Sequence, residues 1–136
     1  MAMQHTPLLM GFVLDRGAKV APREEIVTAC GSGVRRQTYL ETRNRAHQLA
    51  HALAGAGIEV GDRVGTFMWN GSRHLEAYHA TAGMGAVLHT LNIRLSDKDL
   101  EYIIEHAQDR VIIVDADALP LLEVMKDRMP SVERII

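Results

Sequence analysis

Cysteine and aromatic side chains are scarce in this chain of 136 residues. Its one cysteine, Cys30, leaves no partner for an internal disulfide and excludes a zinc site built from several cysteines. Because Cys30 falls in a β-rich run, we expect it to be a small buried strand residue. One Trp, three Tyr and two Phe are too few for a base-stacking surface, which argues against a nucleic-acid partner.

The chain also lacks a strong net charge and long apolar runs. The formal net charge is -2 and no basic stripe is present, so the charge pattern again argues against nucleic acid. No apolar run approaches the roughly 18 residues of a membrane helix, and the N-terminus does not resemble a signal peptide. With 47% hydrophobic residues, the composition is that of a globular domain. We therefore expect one cytoplasmic domain without a transmembrane segment.

The first 38 residues predict a helix followed by a β-hairpin. Residues 8–18 are apolar enough for a short helix, and Pro22 breaks the chain after it. Two β-rich runs, 25–30 and 34–38, are separated by the sequence Gly-Ser-Gly at 31–33. Glycines can adopt the positive φ angles of a tight turn, so this pattern indicates a hairpin.

From residue 39 onward, helical and strand patterns alternate. Thr38 with Glu41, and Ser96 with Asp99, form capping pairs that predict the starts of two amphipathic helices. Each helix has an apolar stripe with helical spacing. The stripe residues are Ala46, Leu49, Ala50 and Leu53 in the first helix, and Leu100, Ile103, Ile104 and Ala107 in the second.

Between these two helices, a third is predicted from an N-cap at Ser72 to about Gly83. Its apolar face is expected to contain Leu75, Tyr78 and Ala82. A last helix should begin at Asp115 or Asp117, contain Pro120 in its first turn and end at Met129-Pro130.

Four short apolar runs predict strands at 63–68, 86–91, 111–114 and 133–136. The run 111–114 consists of β-branched residues only, which is typical of a strand buried on both faces of a parallel sheet. Strands alternating with helices favour right-handed βαβ units. The sequence thus predicts an α/β fold with an open, mostly parallel sheet and flanking helices, preceded by a β-hairpin.

Ligands of open α/β sheets bind at the carboxyl ends of the strands, which here are followed by loops 69–72, 92–96 and 115–117. The oxygens of Asp115 and Asp117 suit Mg²⁺, but helix capping explains these residues equally well. The sequence Gly-Met-Gly at 83–85 leads from a helix into a strand. This is the opposite polarity to a phosphate-binding loop and indicates a helix C-cap.

The histidines and serines indicate a metal site or a catalytic site no more strongly than the strand-end loops do. His47 and His51 lie four residues apart on one helix and could share zinc, but no third ligand or H-E-x-x-H motif accompanies them. A polar helix face explains both histidines. No nucleophile elbow occurs, and the serines lie in turns or caps. We therefore assign no catalytic, cofactor-binding or metal-binding residue.

Residues 83–115, GMGAVLHTLNIRLSDKDLEYIIEHAQDRVIIVD, closely resemble the N-terminal region of medium- and long-chain fatty-acyl-CoA synthetases. These enzymes belong to the adenylate-forming (AMP-binding) superfamily. The resemblance extends upstream through 73–78, 61–64 and 38–41, and covers nearly the whole chain from about residue 7. One departure is Ile93, since these enzymes often carry proline at that position.

The resemblance implies a parent enzyme that uses ATP, Mg²⁺ and coenzyme A to activate a fatty acid. The motifs that hold ATP phosphates, adenine and Mg²⁺ in this family have no counterpart here, so the resemblance supplies no catalytic residue. It implies an inactive scaffold made of a helix and hairpin (1–38) and βαβ units (39–136). In some long-chain members the extreme N-terminus helps to form a homodimer, and the matching segment is 8–29.

Two further expectations concern the whole chain. The sequence stops inside the apolar run at 132–136, from which we expect a piece of a longer protein. If the chain folds alone, we expect it to self-associate at the open sheet edge near Ile135. The alternative is a stand-alone flavodoxin-like domain that binds a nucleotide at its strand ends or pairs with a protein partner.

Overall fold

The computed structural model describes residues 9–31 and 33–136. Leu8, in the first predicted helix, and Ser32, in the predicted hairpin turn, lie outside these residues. The elements follow in the order α1 (Met10–Val20), β1 (Glu25–Cys30), β2 (Gly33–Thr38), α2 (Tyr39–Gly55), β3 (Arg63–Phe67), α3 (Ser72–Gly83), β4 (Val87–Thr90), α4 (Asp97–Ala107), β5 (Asp109–Val114), α5 (Leu119–Glu123), a 3-10 turn (Lys126–Arg128) and β6 (Arg134–Ile135).

The central sheet has four strands in the order β4-β3-β5-β6, and every neighbouring pair is parallel. Strands β1 and β2 form a separate antiparallel hairpin whose last pair is Cys30 with Gly33. Gly33 has a φ of +136°, a conformation that glycine adopts without steric cost. The predicted parallel sheet and the preceding hairpin are both confirmed.

Helices cover both faces of the central sheet. One face packs against α2 and α3, and the other against α4, α5 and the turn after it. The first core consists of Leu53, Ile58, Val64, Met68, Ala77, Ala86, Val111 and Ile113. The second consists of Phe67, Leu91, Leu100, Ile104, Ile112, Ala118, Leu122, Met125 and Met129. Each large side chain buried in this way contributes about 1.5–3 kcal/mol, so the two cores hold the three layers together.

The starts of α2 and α4 have capping hydrogen bonds between the residues that the sequence predicts. At α2, the Glu41 N–H donates to Thr38 Oγ1 (3.2 Å) and the Thr38 N–H donates to Glu41 Oε2 (2.8 Å), which completes the predicted capping box. The Thr38 backbone N–H also holds the pKa of Glu41 below its ordinary value. At α4, the Asp99 N–H donates to Ser96 Oγ (3.3 Å). Within the described residues, no helix has the length and apolarity required to cross a membrane.

Cys30 was predicted to be buried, and this is wrong. It lies on the exposed surface at the far end of the hairpin. A two-stranded hairpin has no second layer at its tip, so the neighbouring Ala29 and Val34 are exposed as well.

The predicted apolar face of α3 is also wrong. Tyr78 is 40% exposed, whereas Ser72, His74 and Glu76 are buried. The buried face of α3 is largely polar, and neighbouring elements supply hydrogen-bond partners for His74 and Glu76 on it.

The last helix is shorter than predicted. It spans Leu119–Glu123, with Ala118 at the N-cap position and no side-chain cap, although Pro120 lies in its first turn as expected. Neither Asp115 nor Asp117 caps this helix, since both side chains are bonded to Trp69.

Candidate functional site at the carboxyl edge of the sheet

The structure brings the loops at the carboxyl ends of the strands together. A cleft of about 850 Å³, here called the edge cleft, lies between the hairpin and the ends of β3 and β5. A hollow of about 350 Å³ lies beside it, over the ends of β3 and β4. Trp69 and His74 line both spaces. The edge cleft contains loops 69–72 and 115–117, and the hollow contains part of loop 92–96.

Trp69 is fixed at both its backbone and its ring. Its backbone N–H donates to Asp115 Oδ2 (2.8 Å), and its indole Nε1–H donates to Asp117 Oδ2 (2.9 Å). The side chain remains 52% exposed, so a large apolar surface is held rigidly at the mouth of the cleft. Asp115 and Asp117 therefore position an aromatic ring. Over the described part of the chain, no group of three or more His, Cys, Asp or Glu is arranged to hold a metal ion.

His74 lies beneath Trp69 on α3. Its Nε2 is 2.9 Å from Thr66 Oγ1 on β3, and its ring is tilted against Tyr78 with 5.1 Å between centroids. Burial lowers the pKa of His74, although the charge of Asp115 and the Trp69 backbone act in the opposite direction. The imidazole is therefore neutral near pH 7 and joins the start of α3 to the end of β3.

The hairpin is anchored to α3 at two levels. At the start of the helix, the Ser72 N–H donates to Thr28 Oγ1 (3.1 Å). Gly71 permits this close approach, since a Cβ there would lie 3.1 Å from Thr28 Cγ2. One turn further on, the buried Glu76 Oε1 accepts from Gln37 Nε2 and Arg45 Nε, both at 2.7 Å.

Sequence reasoning missed this buried polar face. The available signal was a stripe of small and polar residues with helical spacing, namely Ser72, Glu76 and Ala80 with Ala77 and Thr81, all of which are buried. Small residues at i and i+4 permit close helix packing. However, the partners of Glu76 come from residues more than 30 positions away, and no local pattern identifies them.

Three other histidines share a second cleft. His47, His51 and His79 line a cleft of about 220 Å³ between the first three helices, where His47 Nε2 is 3.5 Å from Asp15 Oδ1. The hypothesis of a zinc site at His47 and His51 gains no third ligand of suitable geometry from the described residues.

His89 pairs with Asp109 on the α4 side of the sheet. The distance from His89 Nδ1 to Asp109 Oδ2 is 2.7 Å, and Asp109 is fully buried. Burial raises the pKa of Asp109, while the bond and the charge of His89 oppose that shift. Neither residue lines the edge cleft.

The sequence 83–85 is a helix C-cap, as predicted. Gly85 has a φ of +86°, and the Ala86 N–H donates back to the Thr81 carbonyl (3.1 Å). Gly85 also packs closely against Val60, which lies 3.2 Å from the position of an added Cβ. The segment thus ends α3 and directs the chain into β4.

Similarity to known proteins identifies the family of the chain. The chain is 45% identical over 124 residues to a long-chain-fatty-acid–CoA ligase from Thermus thermophilus, which covers 90% of this chain and 23% of the relative. It is 40% identical over 135 residues to a 3-methylmercaptopropionyl-CoA ligase from Ruegeria lacuscaerulensis, covering 98% of this chain and 25% of the relative. The chain therefore spans about a quarter of the length of these relatives.

The fold of the chain also resembles that of a solved structure. The N-terminal domain of FACL13 from Mycobacterium tuberculosis matches with a TM-score of 0.88 at 26% identity, over 96% of this chain and 34% of that one. The family model described as "AMP-binding enzyme" matches residues 14–136. The match covers most of the chain, which therefore belongs to the AMP-binding enzyme family.

Proposed function

We propose that this chain is the N-terminal scaffold of an acyl-CoA ligase, with a helix and hairpin at 1–38 and βαβ units at 39–136. The observation that carries the proposal is the family match over residues 14–136, together with 45% identity to a named fatty-acid–CoA ligase. The parallel sheet with both faces covered supports a scaffold role, since it forms a rigid platform whose carboxyl edge is open.

The reaction proposed for the whole protein has two steps. A fatty-acid carboxylate attacks the α-phosphorus of ATP, which forms acyl-AMP and releases pyrophosphate. The thiol of coenzyme A then attacks the acyl carbonyl and expels AMP. Mg²⁺ would neutralise the phosphate charges in the first step. We also propose a cytoplasmic location for the whole protein, where all of these substrates are accessible to it.

We assign this chain no catalytic, cofactor-binding or metal-binding residue. The family's Ser/Thr/Gly-rich, lysine-ending loop does not occur in the sequence. The carboxylates in the edge cleft hold Trp69, and the buried His74 bonds Thr66. These contacts orient loops and supply no reacting group, so we propose that residues 1–136 alone are inactive.

We also propose residues 8–29 as a homodimer contact of the whole protein. The described part of this segment contains α1, and Leu9 just before the helix and Phe12 and Val13 within it are each about half exposed or more. A helix with such an apolar outer face gains from burial against another surface.

The decisive experiment replaces the matching segment of the Thermus thermophilus ligase with this chain. If the chain is a scaffold, the chimera catalyses ATP–pyrophosphate exchange with a fatty acid, because the reacting groups come from the remainder of the enzyme. A folded chimera without exchange activity contradicts the proposal. The 136-residue chain alone should show no exchange above background with any fatty acid, and activity above background would overturn its inactivity.

One observation favours a second function, a stand-alone nucleotide-binding module. The structure does gather the strand-end loops around a cleft large enough for a ligand. Calorimetric titration of the chain with AMP, ATP and Mg²⁺ tests this alternative, and the absence of binding heat counts against it.

A further inference from the structure

Helix α1 is held to the rest of the chain by a small apolar contact. Of its 11 residues, only Leu14 and Ala18 are buried. Leu14 packs with Ala46 of α2 and Ala80 of α3, and these three form a much smaller core than those on the two faces of the sheet. An element with so little buried apolar surface opens locally at a lower free-energy cost than the central sheet. The polar contacts of α1 therefore influence strongly whether it stays attached.

These polar contacts surround the cleft of about 220 Å³ between α1, α2 and α3, here called the histidine cleft. Its titratable lining residues are Asp15, His47, His51 and His79. Helices α1 and α3 approach each other closely at this cleft, since a Cβ on Gly11 would lie 4.0 Å from Gly83 Cα. His79 lies one turn before Gly83 on α3 and is close enough to the Met10 backbone for a hydrogen bond to affect its pKa. The ring of His79 therefore lies against the start of α1.

A positive charge on His79 is unfavourable in this position. Its Nδ1 is buried and has no partner with normal hydrogen-bond geometry among the described residues. A neutral imidazole can carry its one proton on Nε2, whereas the imidazolium must carry a second proton on Nδ1. Burial lowers the pKa of His79, the Met10 backbone opposes that shift only in part, and no charged side chain contributes to it. The ring is therefore neutral near pH 7 while α1 lies against it.

The other charges at the histidine cleft do not compensate for a charge on His79. His47 Nε2 lies 3.5 Å from Asp15 Oδ1, so protonation of His47 strengthens the contact between α1 and α2. The side chains of this pair are 58% and 48% exposed, so water and salt screen their attraction. The remaining charged residues of the adjacent turns are exposed or already paired, namely His51, Arg16, Lys19, Arg45 and Glu76. The cost of burying the His79 charge therefore decides how α1 responds to acid.

We propose that protonation of His79 in mild acid releases α1 from α2 and α3, so that the histidine cleft is a pH-sensitive switch. In the open form, water hydrates the imidazolium and the apolar faces of the three helices become accessible. The open form thus binds the proton more tightly than the closed form. The stability of the closed form is full above the ordinary histidine pKa of 6.5 and is lost as pH falls through the lowered pKa of His79. This inference goes beyond the proposed ligase reaction and does not depend on it.

The test is hydrogen exchange of the 136-residue chain on both sides of the histidine range, at about pH 7.5 and about pH 5.5. Each observed amide rate is divided by the intrinsic rate at the same pH, which gives a protection factor. We expect the protection of the α1 amides to fall about threefold to tenfold at the lower pH. The amides of α4, which packs on the opposite face of the sheet, should not show this fall.

Four variants assign the effect to one histidine. His79→Gln and His79→Leu both remove the titrating group, and each should give α1 the same protection at both pH values, even if one of them loosens the helix. His106→Gln is the matched control, because His106 is exposed on α4 and does not line the histidine cleft, so the parent's loss should remain. His47→Gln removes the opposing pair with Asp15 and should enlarge the loss. Equal α1 protection of the parent at both pH values, or a loss that persists in both His79 variants, overturns the proposal.

Discussion

Asp109 is the most unusual single residue of the sheet, a carboxylate that is fully buried at the start of β5. One oxygen bonds His89, and the other has no partner among the described residues. Gly65 on the intervening strand leaves the space for this contact, since a Cβ there would lie 3.2 Å from Asp109 Oδ2. Neither the pair nor its dependence on Gly65 could be predicted from local sequence, because three different strands create it.

The burial of Asp109 predicts a pH dependence of stability. Burial raises its pKa above the ordinary 3.8, with a smaller contribution of the same sign from Glu105, while His89 and Arg63 oppose the shift. In the pH range between the two values, the folded chain holds a proton that the unfolded chain has lost. The stability contributed by Asp109 is therefore full below the unfolded-state pKa and falls as pH rises through the folded-state pKa.

We expect Asp109→Asn to remove this loss of stability with rising pH. Urea unfolding at a series of pH values should show the free energy of unfolding of the variant increasing relative to the parent as pH rises above about 4. Asp127→Asn is the control, because Asp127 is exposed and its replacement should leave the pH profile unchanged. A difference between Asp109→Asn and parent that does not vary with pH would contradict the argument.

At the scale of elements, the structure confirms what local chemistry specifies. The Thr38–Glu41 capping box, the Gly85 cap and the apolar stripe of α4 each depend on residues within one or two turns. The buried face of α3 depends instead on partners in β2, α2 and β3. A face with Glu76 and His74 appears polar in sequence and becomes an inner face only when those partners are present.

Two glycines at the end of α3 allow the cost of a side chain at positive φ to be distinguished from the effect of helix propensity. Gly85→Ala should destabilise the chain by about 1–2 kcal/mol, because a side chain at positive φ is strained and its Cβ would press on Val60. Gly83→Ala should be neutral or stabilising by about 0.5 kcal/mol, since Gly83 is helical and its Cβ would meet no atom within 4 Å. Urea unfolding measures both, and equal effects would show that φ is not the cause.

At the scale of the molecule, the two faces of the central sheet differ from its two edges. Helices cover both faces, whereas β4 and β6 each have one side without a strand partner in the described sheet. Directly after β6, the backbone bonds of Ile136 run inward, from the Ile136 N–H to the Ile112 carbonyl and from the Val114 N–H to the Ile136 carbonyl. Composition and spacing predicted the parallel sheet, but the order of its strands comes from the packing of distant segments.

The open side of β6 predicts self-association of the isolated chain, since unpaired strand groups form hydrogen bonds with a second strand. Light scattering should show a mass that increases with concentration. Ile136→Lys places a charge at this edge on a side chain that is 49% exposed, and should weaken association roughly threefold to tenfold. Val124→Lys adds the same charge at a position 70% exposed outside the sheet and should have no such effect. A constant monomer mass at high concentration, or equal effects of the two lysines, would show that β6 is not the contact.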